Sequence, residues 1–267
     1  MIEVLSKSKE LTMQVKIVAA MATGLLNVLL ASIPLKVSAE ADPTAILAAA
    51  DLARGGGVPG VIWKLKITSN GVDEESGQSV QELTVKAIPD SSLAAVMYPP
   101  RRSGSKLLQV SRNMWFSRPD LRKPVSISQR QKMSGQTANG DVASTNYVSD
   151  YTATPVREES IDGEDCYVLD LTGKHNWVTY DRILYWVSKS RQVALQAEYY
   201  TVSGKLLKTA TFEYGNTIEY QGRPQIFISR LTIRDALNRS NYSVLDYSEV
   251  KLRAFAPSEF TVAALME

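Results

Sequence analysis

From residue 61 onward, apolar and polar residues alternate with a period of two. In VIWKLKITSNG, Trp63, Leu65 and Ile67 share one face while Lys64, Lys66 and Thr68 take the other, and Asn70-Gly71 supplies a turn. QELTVKAI repeats the pattern with Leu83, Val85 and Ala87, and SLAAVMYPP, KLLQVS and NMWFSRP extend it as short strands. After a polar interval come DCYVLDL, YDRILYWVSK, QVALQAEYYT, KLLKTATFEY, QIFISRLTI and YSVLDYSEVKL, separated by turn signals such as Ser203-Gly204 and Gln221-Gly222. The pattern predicts a mainly β protein with about ten or eleven antiparallel strands. With no repeat and no linker in the sequence, one continuous, strongly curved sheet or open barrel is the economical reading. Several strands are bulky on both faces: Leu184 and Trp186 oppose Ile183, Tyr185 and Val187, and Tyr199 opposes Tyr200. Such a sheet must cover both faces, or leave one lining a cavity.

Two stretches break the alternation. DPTAILAAADLARGGG predicts one short helix, with Asp42 as N-cap, Pro43 at the first helical position and Gly55 to Gly57 as its stop. Ile46, Ala49, Ala50 and Ala53 mark its expected apolar face. The second stretch is SQRQKMSGQTANGDVASTNYVSDYT, residues 128–152, where Met133, Val142, Tyr147 and Val148 are thinly scattered among polar residues. Long irregular segments inside compact domains are usually lids, binding loops or disorder. A movable cover with Gly135 and Gly140 as bending points is the expectation here.

The first 39 residues carry a different signal. Lys7, Lys9 and Lys16 precede IVAAMATGLLNVLLASIPL, and Val37-Ser38-Ala39 precede EADPT. A basic region, an apolar stretch and small residues in that order predict a signal peptide over 1–39, cleaved after Ala39, and a mature domain over 40–267. The stretch is also long enough to stay as an uncleaved anchor, although Gly24, Asn27 and Pro34 interrupt it. The full chain has 30 basic and 28 acidic residues. Residues 1–39 hold four lysines and two glutamates, so the remainder has 26 of each sign and nothing in its net charge calls for nucleic acid. The charges are nevertheless unevenly placed. Between Arg101 and Lys132 lie nine basic residues and one acid, and between Asp141 and Asp170 eight acids and one base. Such a split orients a protein at an anionic surface or partner, or simply defends solvated strand edges.

Candidate chemistry is sparse. The single cysteine, Cys166, excludes an internal disulfide or a cysteine metal cluster and sits in a strand-like run as a buried thiol. His175 is the only histidine, in the polar turn TGKHNW, and cannot build a histidine-rich zinc site; no metal or other cofactor is expected. GGGVPG, residues 55–60, has the letters of a dinucleotide-binding loop but follows a helix and precedes a strand, the reverse of what that loop requires. Ser103-x-x-Lys106, Ser149-Asp150-Tyr151 and Lys208-Thr209-Ala210 echo the order of the elements of penicillin-recognising enzymes. The first, however, is a glycine-containing turn rather than a helix start. A serine hydrolase acting through Ser103 is therefore the remote alternative, and no enzyme is expected.

DPTAILAAADLARG, NMWFSRPDLRKPVSISQRQK, IDGEDCYVLDL, YDRILYWVSKSRQVALQAEYYTVSGKLLKTATF and the closing SEFTVAAL together resemble the LolA-like outer-membrane lipoprotein-sorting family. The resemblance implies an incomplete, half-open antiparallel barrel with short helices covering its concave side. It also implies a non-enzymatic periplasmic carrier whose cavity shelters acyl chains of lipoproteins or lipids. The partners implied are that cargo, an inner-membrane transporter as donor or an outer-membrane acceptor, and transient membrane contact. An envelope sensor or an accessory of an inner-membrane transporter is the alternative on the same fold. Relatives often carry a D-x-x-Y-x-D-like run near the end of the polar segment, where this chain places Asp141, Tyr147 and Asp150 at altered spacing. Trp63, Leu65, Ile67, Leu83, Val85, Met97, Trp115, Tyr185 and Tyr199 are the expected wall of an open cavity.

Overall fold

The computed structural model describes residues 42–71, 77–143 and 146–266. The expected signal peptide over 1–39 lies outside the described residues. Alternating side chains place β1 (Val61–Asn70) and β2 (Gln78–Ile88) side by side, with Trp63 opposite Val85 and Leu65 opposite Leu83. These pairs point into the same core, as cross-strand neighbours on one face must. The chain continues through β3 (Ser91–Tyr98), β4 (Lys106–Val110), β5 (Asn113–Ser117) and β6 (Val125–Ile127). A small hairpin follows, β7 (Lys132–Ser134) with β8 (Thr137–Ala138). After it come β9 (Tyr151–Ile161), β10 (Glu164–Gly173), β11 (Arg182–Ser188), β12 (Ala194–Tyr200) and β13 (Leu206–Glu213). The hairpin of β14 (Asn216–Tyr220) and β15 (Arg223–Phe227) leads to β16 (Arg230–Asp235) and β17 (Tyr242–Leu252).

Thirteen of these strands make one antiparallel sheet in the order β6-β5-β4-β3-β2-β1-β17-β16-β13-β12-β11-β10-β9. The strand count exceeds the expected ten or eleven because short pieces such as β6 carry too few residues to show a period. Register shifts interrupt five of the sheet's pairings, and each extra residue bends and twists the strand that bears it. The sheet curls without closing, an incomplete barrel with β6 and β9 as its edges.

The helix α1 (Pro43–Leu52) begins as its sequence requires: Asp42 Oδ1 accepts the Thr44 N–H at 2.9 Å and Pro43 opens the first turn. Gly55 and Gly57, at φ of 96° and 77°, end it before β1. Of the expected face, Ala50 and Ala53 are fully buried and Ile46 packs against the core, but the buried stripe is wider and carries charge. Leu47, Ala50, Asp51 and Arg54 point inward, at the i, i+3, i+4 and i+7 positions of one stripe, while Ala49 stands off it.

The main core lies on the inner face of the sheet, joined by α1, by α2 (Asn139–Ala143), by α3 (Tyr147–Asp150) and by the β14–β15 hairpin. Two satellite clusters cover the outer face. Leu108 and the half-buried Trp115 and Leu93 sit under Phe260 and Leu265 of the C-terminal segment, and Cys166, Val168 and Trp186 form the other. This double covering answers the bulky residues found on both faces of single strands. Cys166 is buried, and its surroundings push the thiol pKa up, desolvation first and the nearby Glu164 carboxylate second.

Candidate functional site

The expected wall divides between the two faces. Trp63, Leu65, Ile67, Leu83, Val85, Tyr185 and Tyr199 all face inward and are at most 2% exposed. Met97 and Trp115 do not face inward. The register of β2 against β3 slips between Leu83↔Val96 and Glu82↔Tyr98, leaving Met97 on the outer side at 59% exposure. Trp115 packs beneath the C-terminal segment with Leu108.

The hollow behind this wall is not open. Residues 128–143 and 146–150 enter it as a plug: Gln129, Ser134, Thr137, Ala138, Asn139, Asp141, Val142, Ala143 and Tyr147 are buried. The expected loose cover is thus an inserted one. Gly135 and Gly140, expected as bending points, are close-packed, against Ser69 and Ser243 and against Thr179 respectively. A Cβ at Gly140 would lie 1.9 Å from Thr179 Oγ1, and one at Gly135 would lie 2.4 Å from Ser69 Cβ.

Polar contacts hold the plug on every side. Asp51 Oδ2 accepts the Val148 N–H at 2.8 Å, and Lys174 Nζ donates to Val148 O at 2.7 Å. Asp141 accepts the Tyr180 hydroxyl at 2.9 Å and the Ala138 N–H at 2.8 Å. Ser243 Oγ accepts the Gln136 N–H at 2.8 Å, and the Ser69 and Ser134 hydroxyls stand 3.3 Å apart. Arg130 pairs with Asp181 at 2.6 Å and donates from Nε to Val178 O at 2.8 Å. Lys208 reaches from β13 to Gln136 O.

At the centre lie two ionisable side chains of the α1 end, Arg54 and Asp51, in an aromatic shell. Arg54 sits 4.4 Å above the Tyr147 ring and 5.6 Å from that of Phe212, and reaches the Tyr185 hydroxyl at 3.5 Å. Around it Tyr147 packs on Tyr185 and Tyr151 at 5.7 and 5.2 Å, and Tyr180 stacks on Tyr199 at 4.0 Å. Burial pushes the Asp51 carboxyl up to about 7, against the pull of the Arg54 guanidinium and the Val148 N–H. Burial likewise raises Asp141, opposed by Lys208, and lowers Lys208, opposed by Asp141. Trp63 Nε1, a buried donor of the interior, has no hydrogen-bond partner among the described residues.

Asp51 and Arg54 escaped the sequence reading. The signal was present: two charged residues at the fourth and seventh positions after Leu47 stand on the stripe that any interior helix face must use. The serine and lysine elements that echo penicillin-recognising enzymes have separate surroundings. Ser103 is exposed on a turn, Lys106 reaches Ala264 O, Ser149 donates to Asn146 O, and Lys208 serves the plug. His175 is exposed and stacks on Trp177 at 4.0 Å, beside a polar cleft of about 300 Å³. Among the described residues no group of three His, Cys, Asp or Glu side chains suits a metal ion, and no helix is long and apolar enough to cross a membrane.

A family model described as "Uncharacterized protein" matches residues 89–267. No curated protein matches the chain significantly. A LolA superfamily protein from Nitrosomonas europaea is 34% identical in sequence, with a TM-score of 0.73 over 82% of this chain and 97% of its own. A putative outer membrane lipoprotein-sorting protein domain from Vibrio parahaemolyticus, at 19% identity, shares the fold with a TM-score of 0.71 over 84% and 98%. So does a DUF1329 family protein from Desulfovibrio piger, at 20% identity and a TM-score of 0.69 over 84% and 97%.

Proposed function

The chain belongs to the LolA superfamily, and from that premise we propose that it is a non-enzymatic periplasmic carrier of acylated cargo. The cargo is a lipoprotein acyl chain or a lipid, taken from an inner-membrane donor and delivered toward the outer membrane. One observation carries the reading: an inner sheet face of aromatic and branched side chains is filled by a mostly polar segment of the same chain. A core made only for stability would use an apolar filling, because hydrogen bonds of the plug contribute only about 0.5–1.5 kcal/mol each net of water. Those bonds are readily exchanged for water when the plug withdraws.

The energies of plug and guest are comparable. Met133, Val142, Ala143, Tyr147 and Val148 are the plug's apolar contacts with the core. Their burial is worth on the order of 10 kcal/mol together, at about 1.5–3 kcal/mol for a fully buried large side chain and less for the others. A 16-carbon acyl chain gains about 12 kcal/mol at roughly 0.8 kcal/mol per methylene. The two apolar contributions are of the same order, and the plug's hydrogen bonds add to the cost of opening. The unpartnered Trp63 Nε1 would donate to the carbonyl oxygen of an ester or amide at the root of the chain.

A lock on the plug tests this. The Ser69 and Ser134 hydroxyls are 3.3 Å apart, so Ser69→Cys with Ser134→Cys can be bridged across β1 and β7. The oxidised double variant is expected to lose uptake of a fluorescent acyl probe, and the reduced form to regain it. Full uptake by a protein shown to be cross-linked would overturn the interior as the binding place.

A further inference from the structure

Arg54, just past the end of α1, is a buried guanidinium that makes no ion pair among the described residues. Its N–H donors meet two hydroxyls, that of Tyr185 at 3.5 Å and that of Tyr147, and its plane otherwise faces the rings of Tyr147 and Phe212. Two carboxylates act on it from a distance, Asp51 and Asp141, and both spend their hydrogen bonds elsewhere. Asp51 Oδ2 holds the Val148 N–H, and Asp141 holds the Ala138 N–H and the Tyr180 hydroxyl. Burial also keeps the Asp51 carboxyl up at about 7, so near neutral pH it supplies only part of a countercharge. Tyr147 belongs to the plug, and its ring centre lies 4.4 Å from the guanidinium carbon. Withdrawal of the plug therefore uncovers Arg54 and takes away one of its hydroxyl partners, in a place still walled by Tyr185, Tyr199 and Phe212. A guanidinium in such surroundings is costly to leave without an anion.

We propose that Arg54 is the anion-binding residue of the interior and that the cargo is a single-chain fatty acid, its carboxylate taking the place of the Tyr147 phenol beside the guanidinium. The exchange replaces a cation–π contact by a charge-assisted pair, and arginine suits a planar carboxylate because it offers two parallel N–H donors. Size favours a carboxylate over a phosphoglycerol headgroup: the vacated place is that of one phenol ring, which Tyr151 and Tyr185 flank at 5.2 and 5.7 Å. An ester or amide end brings no charge to set against the guanidinium. This inference rests on the carrier reading and narrows the class of its cargo.

Fluorescence titration of the full protein with cis-parinaric acid and with its methyl ester tests this, since the two probes share one chain and differ in the charge at its end. The acid is expected to bind about 30-fold more tightly, the size of a charge-assisted hydrogen-bonded contact. Arg54→Met should abolish that preference. The ratio of the two affinities is the readout, because loss of the cation–π contact with Tyr147 loosens the plug for both probes alike. Arg54→Lys, which keeps the charge without the fork, should retain part of the preference. Equal affinity for acid and ester in the unaltered protein overturns the carboxylate site and leaves the carrier standing, whatever the fate of the variants. A preference for the acid that persists in Arg54→Met puts the anion elsewhere and overturns the site as well. Binding of neither probe removes the carrier reading and this inference with it.

Discussion

One methyl group at position 140 separates a packed plug from a flexible cover. Gly140 lies in α2 and is not among the glycines with left-handed backbone, so alanine fits its local conformation and gains up to about 1 kcal/mol of helix propensity. The obstacle is Thr179, whose Oγ1, Cβ and Cγ2 would stand 1.9, 2.9 and 3.0 Å from the new Cβ. Turning the threonine cannot relieve this, because its Cβ is itself too close. Overpacking of this kind costs about 1–3 kcal/mol and here sits at or above the top of that range. After the propensity gain, Gly140→Ala should cost about 2 kcal/mol, a fall in Tm of roughly 4–8 °C for a domain of this size. If the plug yields before the barrel does, the cost appears as opening, and equilibrium uptake of a neutral probe such as N-phenyl-naphthylamine should rise about 30-fold. A double-mutant cycle with Thr179→Gly isolates the contact, since Gly140→Ala in that background should be nearly neutral. Unchanged Tm and uptake in Gly140→Ala, or no recovery in the cycle, would refute the close-packed plug.

The raised Asp51 carboxyl makes stability depend on pH. Its folded value of about 7 exceeds the ordinary 3.8, so folding takes up a proton between them; the contribution is full below about pH 4 and is lost as pH rises through 7. Arg54 and the Val148 N–H face this carboxyl and Asp150 acts on it from α3, so Asp51→Asn, which removes only its own titration, should flatten the decline in denaturant midpoint between pH 5 and 8; identical profiles would rule out its burial. Face assignment is checked by contrast. Tyr185→Ala should cost about 3–5 kcal/mol in urea unfolding, whereas Met97→Ser should stay within about 0.5 kcal/mol because its side chain is in water. Equal losses would mean that the two faces have been exchanged.

Much of the architecture was legible in the residue pattern. Alternation over 61–70 and 81–88 placed Trp63, Leu65, Ile67, Leu83 and Val85 on one face, since the pleat leaves a strand no other choice. Asp42, Pro43 and the glycines at 55–57 bounded the helix, because caps and stops act within a few residues. Local rules failed where a residue's neighbour is far along the chain. Met97 turned outward through a register slip against β2, and Trp115 was claimed by the C-terminal segment about 145 residues later. Asp51 and Arg54 passed unremarked in the residue pattern, because the aromatic shell that closes over them is built from strands far along the chain. The polar stretch 128–152 has no period of its own. Only the curled sheet, by offering Tyr180, Ser243, Asp51 and Lys208 as partners, decided that it would lie inside. The sequence by itself determined an antiparallel sheet with its bulky residues sorted by face, because period and turn chemistry are local. What fills the hollow was decided by tertiary structure, because a polar segment can be buried only where distant groups meet its hydrogen bonds.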